Sequence, residues 1–179
     1  MDFRSSGKIS NLEIPFTILH IYRNVGEESL YSDFKLRMCS LALNPAGDPA
    51  RAVIASAKFD ILLSSPNLNA NIPCGAAAGD VFDFYRDLRV VYEEGRGRAE
   101  LREHGRNSLT DISVSLEKNG KYYVRGYARD PDPNVDEEAF RGIEFCLVCG
   151  KSFISDSLDN FRDLFHELDR IQGDGRFCI

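Results

Sequence analysis

A chain of 179 residues with 43% hydrophobic and 28% charged side chains has the composition of one folded domain, residues 1–179, and not of a disordered segment. Its formal charge of −6, from 22 basic and 28 acidic residues, argues against non-specific binding to nucleic acid or to an anionic membrane, and leaves a basic protein partner open. Met1 to Lys8 contain no apolar stretch of the kind that opens a signal peptide, and five cysteines are an odd number for a disulfide framework, so the expectation is a cytoplasmic protein with reduced thiols.

Taken in chain order, Leu12, Ile14, Phe16 and Ile18 alternate with polar neighbours, as a half-buried strand does. Phe34, Leu36 and Met38 repeat the pattern, and Val53–Leu63 reads as a longer, more apolar strand. Ser64–Gly79 is rich in Ser, Asn, Pro, Gly and Ala and reads as a long loop. The uncharged run from Ile61 to Gly79 holds Pro66, Pro73 and three asparagines, which a membrane span would reject.

Asp80 opens a helix whose apolar stripe is Val81, Phe84, Tyr85, Leu88, Val91 and Tyr92, with Gly95 placed to end it. A second helix is expected to begin near Asp156 or Ser157, either of which could cap it, with Phe161, Leu164, Phe165, Leu168 and Ile171 on its buried face. Between the helices, strands are expected near Arg98–His104, Leu109–Glu117, Lys121–Ala128 and Gly142–Cys149. The predicted fold is α+β: an antiparallel sheet of about seven strands with two amphipathic helices packed on it.

Asn119-Gly120 marks a hairpin, and the hydrophobic pattern chooses its register. A two-residue turn would set Val114 against Arg125. A three-residue loop, Lys118-Asn119-Gly120 with Gly120 left-handed, pairs Leu116 with Tyr122 and Val114 with Val124. The second register sends Ile112, Val114, Leu116, Tyr122 and Val124 into the core. It leaves Asp111, Ser113, Ser115, Glu117, Tyr123, Arg125 and Tyr127 on the opposite face. Tyrosine and arginine are favoured anchors at protein contacts, although aromatic neighbours also stiffen a solvated sheet with no partner.

The remaining chemical candidates are weak. Cys146 and Cys149 have the spacing of half a zinc knuckle, but Cys39, Cys74 and Cys178 supply no second pair. On a strand, residues three apart face opposite ways and stand roughly 10 Å apart, so the two read as structural thiols. Asp130–Glu138 resembles a calcium loop only superficially, since Val135 and Arg141 stand where an EF-hand needs Gly and Glu. His20, His104 and His166 are isolated in sequence, and Gly95-Arg96-Gly97-Arg98 follows a helix instead of opening one. No catalytic residue, metal or cofactor is predicted.

Charge is uneven. Arg86–Arg129 carries a local balance of +3, and Asp130–Ile171 one of −7. The acidic stretch could steer a basic partner and speed its arrival.

The helix residues Val81-Phe82-Asp83-Phe84-Tyr85-Arg86-Asp87-Leu88, then Gly97–Leu101, the Asn119-Gly120 hairpin, Gly126, Gly142–Phe145 and Phe161–Phe165 together resemble bacterial immunity proteins of the WapI type. Such proteins neutralise polymorphic, contact-dependent toxins, which are commonly nucleases with basic surfaces. The resemblance covers about half the chain, Asp80–Ile171, and has no counterpart for Ser64–Gly79 or Asp130–Phe140. It implies a cytoplasmic binding protein that needs no cofactor.

The first reading is therefore a non-catalytic protein that binds a basic toxin domain through Tyr123, Arg125 and Tyr127, or through the acidic residues Asp132, Asp136, Glu137, Glu138, Asp159 and Asp163. Two other readings stay open. One is a small hydrolase-like enzyme with a pocket over His104 or His20, lidded by Ser64–Gly79. The other is an oligomeric scaffold built on sheet edges.

Overall fold

In a computed structural model, residues 10–12, 16–22, 33–43, 54–65, 68–77, 80–102, 110–129 and 142–172 are described. They form nine strands and two helices, and every strand pairing is antiparallel. The α+β class stands as expected, but the strands divide between two sheets.

The first sheet holds β1 (Ser10–Leu12), β2 (Phe16–Tyr22), β3 (Asp33–Leu43), β4 (Ile54–Ser65) and β5 (Leu68–Ala77). β3 is its long spine: β1 pairs with Leu41–Leu43, β2 with Asp33–Met38, and β4 runs along the other side, followed by β5. Of the strand expected across Leu12–Ile18, Leu12 belongs to β1 and Phe16–Ile18 to β2, while residues 13–15 lie outside the described residues. A register shift between Thr17 and Leu19 changes the phase of β2, so that Ile18 and Leu19 are both buried.

Among the described residues, Ser64–Gly79 is not a loop. Most of it is β5, paired residue for residue with β4 from Ser56↔Ala77 to Ser65↔Leu68. Its alternation is genuine but built from small side chains: Ile72 and Ala76 are buried, while Asn69, Asn71 and Pro73 are exposed. Proline is tolerated because β5 is the edge of its sheet. The composition that resembled a loop is the composition of an edge strand.

The helix α1 (Asp80–Glu94) buries Val81, Phe84, Tyr85, Leu88 and Val91, the predicted stripe. Asp80 and Asp83 sit in its first turn, where carboxylates suit the positive end of the helix dipole. Gly95, at φ +66°, ends it in the left-handed conformation. The second sheet follows as a meander: β6 (Arg98–Arg102), β7 (Thr110–Leu116), β8 (Tyr122–Arg129) and β9 (Gly142–Cys149).

The closing helix α2 spans Lys151–Gln172, beginning five residues before Asp156. Neither Asp156 nor Ser157 caps it. Ser157 lies on its buried side, 1% exposed, and donates a 2.6 Å hydrogen bond to the Ile18 carbonyl on β2. Ile154 and Leu158 extend the apolar face toward the N-terminus, and Phe161, Leu164 and Phe165 are buried as expected.

One core joins both sheets and both helices. Phe34 of β3 meets Phe145 of β9 at 5.0 Å between ring centres, and Phe161 and Phe165 of α2 close on Tyr85 of α1 at 5.4 and 5.1 Å. Each such ring contributes roughly 1.5–3 kcal/mol by leaving water. Gly126 makes room for the contact between sheets: a Cβ there would stand 2.9 Å from Phe145 Cζ and 2.2 Å from the Asp111 carbonyl oxygen. No described helix is long and apolar enough to cross a membrane.

Candidate functional site

The β7–β8 hairpin adopts the register that buries its apolar residues. Leu116 pairs with Tyr122 and Val114 with Val124. The turn is the three-residue loop Lys118-Asn119-Gly120, closed by bonds from Gly120 N to Glu117 O at 2.9 Å and from Glu117 N to Lys121 O at 3.0 Å. Gly120 takes φ +74°, and Asn119 Oδ1 accepts a bond from Lys121 N at 3.0 Å.

That register turns three ranks of side chains away from the core. Across the four strands they read Arg98, Ser115, Tyr123, Val148; then Glu100, Ser113, Arg125, Cys146; then Arg102, Asp111, Tyr127, Glu144. Tyr123, Arg125 and Tyr127 thus form a row along β8, in the middle of this face, where among the described residues Arg125 is exposed and both tyrosines are half-buried.

The row is held in place by its neighbours. The Arg125 guanidinium sits 4.5 Å from the centre of the Tyr123 ring and donates to Glu117 Oε1 at 2.9 Å and to Ser115 Oγ at 3.5 Å. The bond to Glu117 raises the Arg125 pKa above its ordinary value. Asn119 Nδ2 donates to the Tyr123 hydroxyl at 3.1 Å, and Arg129 lies over Tyr127 at 5.4 Å. Each tyrosine thus carries an arginine, an arrangement that contributes about 0.5–1 kcal/mol at an exposed site.

The charges on this face are matched. Arg98 and Arg102 both bond Glu100, at 2.8 and 2.9 Å, and Arg102 also reaches Asp111 at 3.1 Å. With Arg125 on Glu117, cations and carboxylates alternate, and no single sign dominates.

Of the acidic candidates, only Asp159 and Asp163 are among the described residues, and they stand on another element. Asp132, Asp136, Glu137 and Glu138 lie outside the described residues. Asp159 and Asp163 are exposed on α2, which packs on β2 and α1, and Asp159 is bonded to Arg162 at 2.7 Å.

Cys146 is exposed and Cys149 buried, on opposite faces of β9. Burial pushes the Cys149 thiol up to about 11. His20 Nε2 bonds Asp33 Oδ1 at 2.8 Å, and Lys35 reaches the same carboxylate at 3.3 Å. This cluster ties β2 to β3. His166 is exposed on α2, and His104 lies outside the described residues. The lid imagined over a histidine pocket does not exist as a loop, because residues 68–77 are committed to the β4–β5 ladder.

A second polar cluster lies on the outer face of the first sheet, where Arg37 bonds Asp60 at 2.7 Å. Desolvation pushes the Asp60 carboxyl up, but hydrogen bonds from Arg37 and Cys39 and the Arg37 charge outweigh it and hold the pKa below its ordinary value. Among the described residues, no three His, Cys, Asp or Glu side chains gather where they could hold a metal ion.

No family model matches the chain, and no curated protein matches it. Among solved structures, it is similar to a chain in "Crystal structures of trypanosoma bruciei MRP1/MRP2", with 13% identity and a TM-score of 0.47 over 90% of this chain and 88% of that one. A likeness that distant carries no argument about this chain.

Proposed function

We propose that this chain is a non-catalytic binding protein that holds a protein partner on the outward face of its second sheet. The observation that carries the reading is the Tyr123–Arg125–Tyr127 row, in which Asn119, Ser115 and Glu117 hold the Tyr123 ring and the Arg125 guanidinium in advance, and Arg129 lies over Tyr127. Large side chains already held still lose little freedom on binding, which favours them as anchors.

The matched charges favour a protein surface over a nucleic acid, whose phosphates call for unpaired cations. Following the resemblance to WapI-type immunity proteins, the partner is a toxin domain and the chain acts in the cytoplasm of the cell it protects. A basic toxin would be steered by the acidic stretch from Asp130 onward and by Asp159 and Asp163, then seated on the β8 row.

Co-expression tests this directly. The product of the adjacent gene is produced in cells with and without the chain. The reading expects rescue by the wild type and loss of rescue with Tyr123→Ala/Arg125→Ala. Growth arrest that the wild-type chain fails to relieve counts against immunity. Rescue that survives the double substitution moves the contact off this face.

A further inference from the structure

An exposed strand edge invites another strand, and most edges in this fold are guarded. β1 is three residues long. β2 is covered by α2 through the bond from Ser157 to the Ile18 carbonyl. β5 carries Pro73, and the five residues of β6 include Arg98, Glu100 and Arg102.

β9 is different. Its eight residues run in unbroken register with β8, without a bulge or proline, and their one charge is Glu144. Among the described residues it pairs with β8 alone. Val148, 38% exposed, is one of two large hydrophobic side chains left open to water among them.

We infer that the edge of β9 opposite β8 receives β9 of a second copy of this chain, antiparallel, about a two-fold axis perpendicular to the sheet. Directly opposed residues in an antiparallel pair point to the same face, so this symmetry sets each residue against one of matching orientation. The two registers that keep most of the strand paired centre on Phe145 or on Cys146. In the first, Glu144 faces Cys146 of the other copy; in the second, it faces Val148. Neither opposes Glu144 to itself, so the one charge on the strand does not resist self-pairing. In the second register the small side chain of Cys146 meets its own copy at the centre; in the first, Phe145 does so on the core side. The two sheets become one, with both tyrosine–arginine rows on the same side and free for partners. The dimer does not depend on the proposed toxin partner.

The test is the oligomeric state of the full chain across a concentration series, measured by sedimentation velocity in reducing buffer. The wild type is expected to dimerise. Cys146→Glu opposes carboxylates in either register and is expected to raise the dimer dissociation constant about tenfold, with an unchanged circular dichroism spectrum. Cys146→Lys is expected to tighten the dimer if Phe145 is the centre, where it meets Glu144, and to weaken it if Cys146 is the centre. A wild type that stays monomeric up to its solubility limit overturns the inference. So does a dimer whose dissociation constant ignores both substitutions.

Discussion

The Arg125 guanidinium lies over the Tyr123 ring while its Nη1 holds Glu117, so one cation fixes an aromatic ring and closes the mouth of the hairpin together. Replacing Arg125 by Ala removes a contact and also frees the ring. In the proposed complex, Tyr123→Ala and Arg125→Ala are each expected to weaken binding by about 2 kcal/mol, near thirtyfold. Arg125→Lys should recover little, because an ammonium cannot present the same planar surface to the ring. Isothermal titration calorimetry with the partner domain reads all three.

Gly126 sits where β8 passes between Asp111 and Phe145, and a methyl group there meets backbone at 2.2 Å. Gly126→Ala is expected to destabilise the fold by about 1–3 kcal/mol through overpacking. Urea unfolding should show a lower midpoint, and unchanged stability would mean the sheets separate easily at Phe145.

Ser157→Ala deletes the donor to the buried Ile18 carbonyl and uncovers the edge of β2. The expected cost is about 1–3 kcal/mol. Hydrogen exchange should quicken in β2 ahead of β8, since the bond joins α2 to the first sheet and not the second.

The two thiols of β9 make opposite predictions. Cys146 is exposed and is expected to take a maleimide label in the folded protein. Cys149, with its pKa pushed up to about 11 by burial, is almost wholly protonated at pH 8, and should label only on unfolding. Because its folded pKa exceeds the unfolded value of about 8.5, its contribution to stability is full below pH 8.5 and is lost as pH rises through about 11. Cys149→Ala should flatten that alkaline fall in a pH series of unfolding midpoints.

Much of the second sheet was legible in the sequence because its alternation uses large residues. Val114, Val124 and Tyr122 on one face against Arg125 on the other leave a single workable register, and the row of Tyr123, Arg125 and Tyr127 follows from it. α1 was equally plain, since Phe84, Tyr85 and Leu88 recur at helical spacing between Asp80 and Gly95.

β5 was hidden because its inward residues, Ala70, Ile72, Cys74 and Ala76, are mostly small, and its outward ones are the asparagines and proline that usually mark turns. The start of α2 was hidden by Ser157, a good capping residue whose hydroxyl serves a strand far away in sequence. The division into two sheets rests on contacts such as Phe34 with Phe145, which no local pattern encodes. The acidic stretch of Asp130–Glu138, prominent in the sequence, lies outside the described residues, so the candidate site rests on β8 and its neighbours.

Hydroxyl-radical footprinting of the chain in the proposed complex with a protein partner tests the central claim most directly. Tyr123 and Tyr127 should lose reactivity on binding, while Tyr22, exposed on β2, keeps its own. A saturated complex in which Tyr123 and Tyr127 react as they do in the free chain would contradict it.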